Sequence, residues 1–592
     1  MSSSTAEADW VSRLADEVIA EAGQRGTGKP VVVASGLSPS GPIHLGNMRE
    51  VMMPHFVADE IRRRGVACEH IISWDDFDRF RKVPFGVEGV DPDTWAQYIG
   101  MPLSSVPAPA GSPYPNWAEH FKAPMAAALD RLGVPYRGIS QTEMYTSGAY
   151  REQILLAMAE RQRIDAVLAR YRTKAKTSPD PEAAVADRTL RKPGKALSAE
   201  EQAAADVAAE GSGAAAEDDG AGGAGYFPYR PYCSVCGKDF TTVTAYDDAT
   251  TALTYDCACG HTETVRLSGP DGHTRGKLVW KVDWPMRWAY EGVVFEPSGV
   301  DHQSPGSSFV VGEPLVAEIF GGKRPIGPMY AFVGILGMAK MSSSKGGVPT
   351  AADALRLMEE PLLRWLYARR KPNQSFVIAL DQEIQRLYDE WDALERRVAE
   401  GTAGDADTAA HSRAVRTAER ELPRTPRPLP YRTLASVADI TTGDEAQMLR
   451  ILSELDPADP LSSLDPVRPR LDRAATWVQT QVPADQRTRL LAEPDTERLS
   501  GLDETQRKSL DILLDGLGEH WSLDGLTTLV YAVPKLQAGW DLDAKPTPEL
   551  KAAQREFFVL VYELLLGTDT GPRLPTLLLA AGPERVRTLL GG

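Results

Sequence analysis

Cysteine is scarce in this chain, five residues among 592, and four of the five crowd between Cys233 and Cys259. No disulfide framework can span such a chain, and a reducing, cytoplasmic compartment is expected. Long apolar runs are missing as well. No stretch approaches the roughly 18 residues that a membrane-spanning helix needs. The opening MSSSTAEADW lacks a basic region followed by an apolar one, so neither a secretory signal nor a membrane span is predicted. Cationic excess is absent too: Lys+Arg 65 against Asp+Glu 82 leaves a formal net charge of -17 at pH 7. A polyanion would therefore have to be met by local basic patches, because overall charge repels it. What is present is ordinary globular composition, 42% hydrophobic and 25% charged, over a length that suggests roughly three or four packed units.

Strand and helix alternate from the start. The β-branched run Val31-Val32-Val33 ends in a turn-rich stretch from Ser35 to Pro42. Met48, Met52 and Phe56, four apart, then predict a helix, with Arg62, Arg63 and Arg64 in its last turn and Gly65 as its stop. A second strand is expected from Cys68 to Trp74. Strand, turn, helix and strand in this order make a βαβ unit, whose ligand site lies at the carboxyl end of the strand. Residues 196–225 contain no Lys or Arg, and Leu197 and Val207 are their only large apolar residues, so they read as a flexible insertion unable to bury a core. A second α/β stretch is expected from Leu278 to about Val348. Beyond Thr350 strands thin out; Leu380, Ile384, Leu387, Trp391, Leu394 and Val398 mark one apolar helical stripe. Residues 402–430, rich in Ala, Thr, Arg and Pro, read as a linker. The expected layout is 1–170 and 278–350 as two halves of one α/β domain, 171–277 as an insertion, 351–425 as a helical connection with the linker, and 426–592 as a helical domain.

Three motifs carry chemistry. Ser38-Pro39-Ser40-Gly41-Pro42-Ile43-His44-Leu45-Gly46-Asn47 stands where the first strand hands over to the first helix. Free backbone N–H groups there attract anions, glycines admit phosphates closely, and His44 and Asn47 add two donors one turn apart, which makes a phosphate site; the plainer alternative is an exposed helix cap. Lys340-Met341-Ser342-Ser343-Ser344-Lys345 follows an apolar run from Ala331 to Met338 and reads as a flexible polar loop with two ammonium groups. Such lysines can neutralise charge on a leaving pyrophosphate; the alternative is a plain surface loop. Cys233-Ser-Val-Cys236 and Cys257-Ala-Cys259 are two thiolate hooks with Gly237 and Gly260 beside them, a pattern that matches structural tetrahedral Zn2+. The second hook is one residue short of the commoner spacing, so His261 competes with Cys259 for the fourth position, and a redox pair is the competing chemistry. Cys68, alone in an apolar strand, reads as a core thiol.

The first two motifs together, in this order and some 300 residues apart, resemble the HIGH and KMSKS signatures of class I aminoacyl-tRNA synthetases. The stretch from Ser73 to Pro84, SWDDFDRFRKVP, is similar to the class I lysyl-tRNA synthetases in particular. So are Trp280 to Trp288, Phe295 to His302, Leu366 to Pro372 and Gly571 to Leu574. The chain departs from the general class in having Asn47 for the second His and Ser343 for the second Lys, both usual in the lysyl family.

The resemblance implies a Rossmann-like α/β catalytic domain with a zinc-bearing insertion, followed by an all-α anticodon-binding region. It implies an ATP-dependent ligase that forms lysyl-adenylate and passes lysine to the 2′-hydroxyl of the terminal adenosine of tRNA(Lys). Its partners would be L-lysine, ATP with Mg2+, and tRNA, and the protein is expected to be a monomer. His44, Asn47, Lys340 and Lys345 would be catalytic. Pro39, Ser40, Gly41, Gly46, Met341, Ser342 and Ser343 would join them around ATP, and Gly36, Ser38, Trp280, His302 and Tyr330 would hold lysine. An ε-ammonium needs a carboxylate or an aromatic face. Asp75, Asp76, Asp78, Asp283 and Asp301 offer the one, and Trp280, Trp284 and Tyr330 the other; the alternatives are capping, pairing with Arg79, Arg81 and Lys82, or core packing. Arg62 to Arg64 and Arg369 to Lys371 are candidate phosphate contacts. Competing functions are a class I synthetase for another amino acid and a catalytically silent tRNA-binding paralogue.

Overall fold

In the computed structural model the described residues are 9–175, 221–222, 225–303, 306–336, 349–455, 458–543, 545 and 547–591. Lys340, Met341, Ser342, Ser343 and Lys345 lie outside this set, as does most of the 196–225 insertion.

The chain divides into two compact units. The first comprises Met1–Leu355, Glu360–Leu380 and Leu394–Pro423. Its helix α1 (Trp10–Arg25) is capped by Asp9, whose carboxylate accepts from the Ser12 amide. Strand β1 (Val31–Leu37), helix α2 (Met48–Arg63) and strand β2 (Cys68–Trp74) form the expected βαβ unit, with β1 and β2 parallel and in register from Val31↔Cys68 to Leu37↔Trp74. Helix α3 (Trp117–Arg131) leads to β3 (Arg137–Ser140), parallel to β2. After helix α4 (Trp280–Glu291), β4 (Val293–Phe295) pairs with the far side of β1, also parallel. The strand order is therefore β4-β1-β2-β3, and it reverses at β1. On one face Val32, Ala34 and Ile71 pack with Trp284 and Trp288 of α4 and with Phe309 and Val316 of helix α5 (Ser308–Glu318). The opposite face, with Ser35, lies against α2, whose Glu50 carbonyl accepts from the Ser35 hydroxyl.

Shorter parallel pairs extend the α/β pattern: Ser298–Gly299 with Met329–Tyr330, and Val333–Leu336 with Phe376–Ala379. The cysteine-bearing segment contributes an antiparallel meander, Thr241–Asp247, Ala252–Cys257 and Thr262–Arg266. Its Val243, Leu253 and Tyr255 share one core with Tyr145, Ile154 and Val167 from the preceding helices. Helix Arg161–Ala175 runs across the expected 170/171 boundary, and strand Gly276–Leu278 across the 277/278 one.

Residues 405–415, inside the stretch read as a linker, form helix α6 (Asp405–Val415). Ala410 and Ala414 are buried, and the Arg413 guanidinium is held by Asp9 at 2.9 Å and Glu60 at 2.6 Å. The Arg413 carbonyl accepts two N–H groups of the fully buried Arg364. Small side chains hide the apolar face of this helix from a composition-based reading. Cys68 also departs from expectation: it is half-buried at the first position of β2, beside Arg62, whose Nε donates to its carbonyl.

The second unit comprises Arg356–Glu359, Asp381–Ala393 and Arg424–Gly592. Its described regular elements are helices, and its core is built from Leu513, Leu526, Val530, Val561, Leu564, Leu578 and Leu589. The buried Arg470 guanidinium is neutralised by Glu359 and Asp392, each at 2.8 Å, and lies over the Tyr388 ring, which stacks on Tyr431.

Candidate active site

A sheet whose order reverses at one strand sends the connections after that strand and its neighbour to opposite sides, leaving a crevice at their carboxyl ends. Here those strands are β1 and β4. Beyond Leu37 the backbone runs through Ser38 to Pro42 into the 3-10 turn Leu45–Asn47 at the head of α2. Gly46 has a specific reason to be glycine: a Cβ there would stand 2.9 Å from Nδ1 of His44 and 3.3 Å from the Val333 carbonyl. The imidazole is thus packed against the turn that carries it.

Four supports fix this turn. The Leu45 amide donates to the Pro349 carbonyl at 2.7 Å, and His44 bridges Thr350. Tyr367 Oη donates to the Leu45 carbonyl at 2.8 Å. Arg49, two residues past Asn47, donates to the carbonyls of Ala331, Lys371 and Gln374 at 2.7, 2.6 and 2.8 Å, and burial lowers its pKa to about 10. The Trp117 indole donates to the Ser40 carbonyl at 3.1 Å. Val333 on one side of the Lys340–Lys345 segment and Pro349–Thr350 on the other therefore both touch the His44–Asn47 turn.

The five expected lysine-site residues gather near the same strand ends. Gly36, near the end of β1, pairs with Ser73 of β2, and a Cβ on it would stand 3.8 Å from a Glu50 carboxylate oxygen. Ser38 follows, exposed. Trp280 opens α4 and stacks on Trp284 at 5.1 Å; Trp284 meets the edge of His302 at 5.3 Å. Tyr330 pairs with Gly299, the residue that opens the turn holding His302.

Asp75, Asp76, Asp78 and Asp283 are committed elsewhere, and the Asp301 side chain lies outside the described set. Arg287, over the Trp280 ring, donates to Asp75 at 2.6 Å and also to Asp283 and Ser73. Lys277 pairs with Asp78 and lies 3.2 Å from Asp283, which accepts from Tyr145 Oη at 2.5 Å. Asp76 accepts from the Ser140 hydroxyl and the Thr142 amide, each at 2.7 Å. The partners of Asp75, Asp78 and Asp283 are thus Arg287 and Lys277, rather than Arg79, Arg81 or Lys82. Burial pushes Asp75 up to about 6; it works the same way on Asp283, but Arg287 and Lys277 hold that carboxyl below its ordinary value. Arg79 instead faces Asp239, at 3.6 Å.

Glu296 escaped sequence reading. Its two oxygens accept the indole N–H groups of Trp284 and Trp288, at 3.1 and 2.6 Å, so one buried carboxyl fixes the ring that bridges Trp280 and His302. The signal available was weaker: each buried indole N–H needs an acceptor, and tryptophans four apart on one helix face put two such donors side by side.

In the cysteine segment the four Sγ atoms of Cys233, Cys236, Cys257 and Cys259 lie within 4.8 Å of one another. Zinc bound to four thiolates at about 2.3 Å spaces them by about 3.8 Å; the Cys233–Cys259 and Cys236–Cys257 separations are 3.8 and 3.6 Å. Gly237 and Gly260, at φ 72° and 87°, form the left-handed corners of the two hooks. The His261 ring turns away, to Ser234 at 3.2 Å and Glu263 at 3.5 Å.

Burial pushes Glu296 up to about 7, from an ordinary value of 4.5. Between those values the folded state keeps a proton that the unfolded chain releases, so the contribution of this group is complete below 4.5 and is lost as pH rises through 7. The thermal midpoint of the native protein should therefore fall relative to that of Glu296→Gln between about pH 5 and about pH 8. Parallel melting profiles across that range would show a carboxylate ionised throughout.

A family model described as tRNA synthetases class I (K) matches residues 8–421. The chain is 68% identical over 594 residues to a lysine--tRNA ligase of Streptomyces coelicolor, covering 99% of both chains. A lysine--tRNA ligase of Pyrococcus horikoshii is 32% identical, with 96% of each chain covered, and one of Pyrococcus furiosus is 31% identical, with 98% of each covered. On a family match over most of its length and identity sustained from end to end, the chain belongs to the class I (K) tRNA synthetases.

Proposed function

We propose that this protein is a lysine--tRNA ligase that activates L-lysine with ATP and transfers it to the 2′-hydroxyl of the terminal adenosine of tRNA(Lys). The observation that carries the reading is the meeting of the His44–Asn47 turn with both described flanks of the Lys340–Lys345 segment, at the point where the sheet order reverses. The relatives of that name, aligned over nearly the whole chain, support it.

Lysine lies among Gly36, Ser38, Trp280, His302 and Tyr330. ATP occupies the turn of Pro39, Ser40, Gly41, His44, Gly46 and Asn47, covered by Lys340, Met341, Ser342 and Ser343. A carboxylate oxygen of lysine bonds to the α-phosphorus as the bond to the bridging oxygen breaks and pyrophosphate leaves. His44 and Asn47 donate to the transferring phosphoryl oxygens, and Lys340 and Lys345 take up the charge that develops on pyrophosphate. The 2′-hydroxyl then attacks the adenylate carbonyl, AMP departs, and the hydroxyl proton is released. Positioning and electrostatics suffice, with no covalent enzyme intermediate. Mg2+ is assigned to the phosphates of ATP.

Zn2+ would be held by Cys233, Cys236, Cys257 and Cys259, where it would tie the two hooks together. The helical region 426–592 is assigned to anticodon binding, and the protein to the cytoplasm as a monomer.

Charging of bulk tRNA with each proteinogenic amino acid in turn should give product with lysine alone; product with another amino acid, or none, would contradict the assignment. Lys340→Ala should slow activation on the order of a hundredfold while ATP affinity changes little, and a matching loss of ground-state ATP binding would refute the role given to that lysine. Elemental analysis should find about one zinc per chain. Cys259→Ser should release it and His261→Ala should retain it, whereas a chain that carries no zinc and forms disulfides on oxidation would favour redox chemistry.

A further inference from the structure

A row of rings leads outward from the core of the first unit. Trp288 and Trp284 of α4 are buried, while Trp280 and His302 are half-buried. Trp284 is the middle member. Its ring lies 5.3 Å from Trp288, 5.1 Å from Trp280 in a stack tilted by 23°, 5.3 Å from His302 edge to face, and 5.6 Å from Phe309 of α5. It therefore touches two of the five residues given to lysine without being one of them. Trp280, Trp288 and Phe309 have no lone pair that an indole N–H could use. The Trp284 N–H finds its acceptor in Glu296, at 3.1 Å. Apolar packing is non-directional, whereas a hydrogen bond at the ring edge fixes the plane of the ring.

Glu296 can fix that plane because it is itself held. Its other carboxyl oxygen accepts from the Trp288 indole at 2.6 Å. Its amide donates to the Ile326 carbonyl at 3.0 Å, and a Cβ on Gly327 would stand 2.5 Å from the Glu296 carbonyl oxygen. The same stretch of chain then reaches two further residues of the lysine set. Ser298–Gly299 pairs with Met329–Tyr330, and the turn Val300–His302 follows directly. Trp280 through Trp284, and His302 and Tyr330 through the backbone, thus take their places from one short segment that begins at Glu296. Only a carboxylate can serve both indoles, since an amide of the same shape turns an NH2 group toward one of them.

We propose that Glu296 is a positioning residue for lysine: by holding the indoles of Trp284 and Trp288 it sets the Trp284 ring, and with it the placement of Trp280 and His302 around the amino acid. This rests on the ligase reading, which puts lysine among those residues. Glu296 acts through Trp284 and takes no part in the chemistry at ATP.

The test is steady-state charging of tRNA(Lys) by the full-length protein, with lysine and ATP varied separately. Glu296→Gln leaves one buried indole without an acceptor and should raise the KM for lysine about tenfold, with kcat and the KM for ATP within about twofold of native. Trp284→Phe should raise the KM for lysine to a similar degree, and adding Glu296→Gln to it should change little more. Trp288→Phe, which leaves the carboxyl to Trp284, should shift the KM for lysine less than Trp284→Phe does. A fall in kcat with the KM for lysine unchanged would show a merely structural carboxyl and overturn the proposal, as would effects of Glu296→Gln and Trp284→Phe that multiply in the double variant. Should Glu296→Gln fail to fold, the comparison of Trp284→Phe with Trp288→Phe decides, and equal shifts in the two overturn the proposal. If the native protein charges no tRNA(Lys) with lysine, the ligase reading fails and this role with it. If it does so and the lysine KM is insensitive to Glu296→Gln, only the role of Glu296 fails.

Discussion

Parallel strands can reverse their spatial order only where two connections part company, and in this fold that parting occurs at one strand, Val31–Leu37. The candidate active site depends on it. The β1 connection turns toward α2 and brings the histidine turn with it. The chain beyond β4 turns the other way and brings Glu296 and His302. Between them lie the carboxyl ends of β1 and β4. The tryptophans of α4 form the floor on that side because Val32 and Ala34 of β1 present an apolar face for them to bury.

Such a crevice gathers polar groups that an apolar core could not hold unpaired. Three carboxylates, Asp75, Asp78 and Asp283, surround two cations, Lys277 and Arg287, next to the Trp280 ring. The surplus is one negative charge when all are ionised, a field suited to an incoming cationic substrate. Burial disfavours the charge on any such group alone, and here each carboxylate faces a cation at ion-pair range. Arg49 answers a similar need in a different way. Its planar fork satisfies three carbonyls from two separate loops, which the single ammonium of a lysine could not do with the same fixed geometry.

Local regularity made part of this visible in the sequence. The βαβ unit was legible because β-branched residues, a four-residue apolar repeat and a stop glycine agree with one another, and β2 runs over Cys68–Trp74 as expected. The cysteine hooks were legible for the same reason, and their four Sγ atoms cluster while the His261 ring meets Ser234 and Glu263. What escaped was pairing at long range. Asp75 and Asp78 lie in the same stretch as Arg79, Arg81 and Lys82, yet they meet Arg287 and Lys277 some 200 residues away. Helix α6 was hidden because alanines bury little and its anchors, Asp9 and Glu60, are distant in sequence. Glu296 looked like an ordinary charged residue until two indoles were seen to share it.

The supports of the histidine turn come from widely separated parts of the chain: Val333, Pro349, Tyr367 and, through Arg49, the carbonyls of Lys371 and Gln374, while α1 is tied in by the Trp10 indole on the Ala368 carbonyl. A polypeptide made from its amino end has strand β1 and helix α2 long before those anchors exist. Apart from Trp117, whose indole holds the Ser40 carbonyl, the braces of the α2 entrance lie roughly three hundred residues further along the chain, and loop-closure entropy makes such distant contacts slow to form. Assembly of this corner should come late in folding, which makes its integrity a natural gauge of whether the whole first unit has matured.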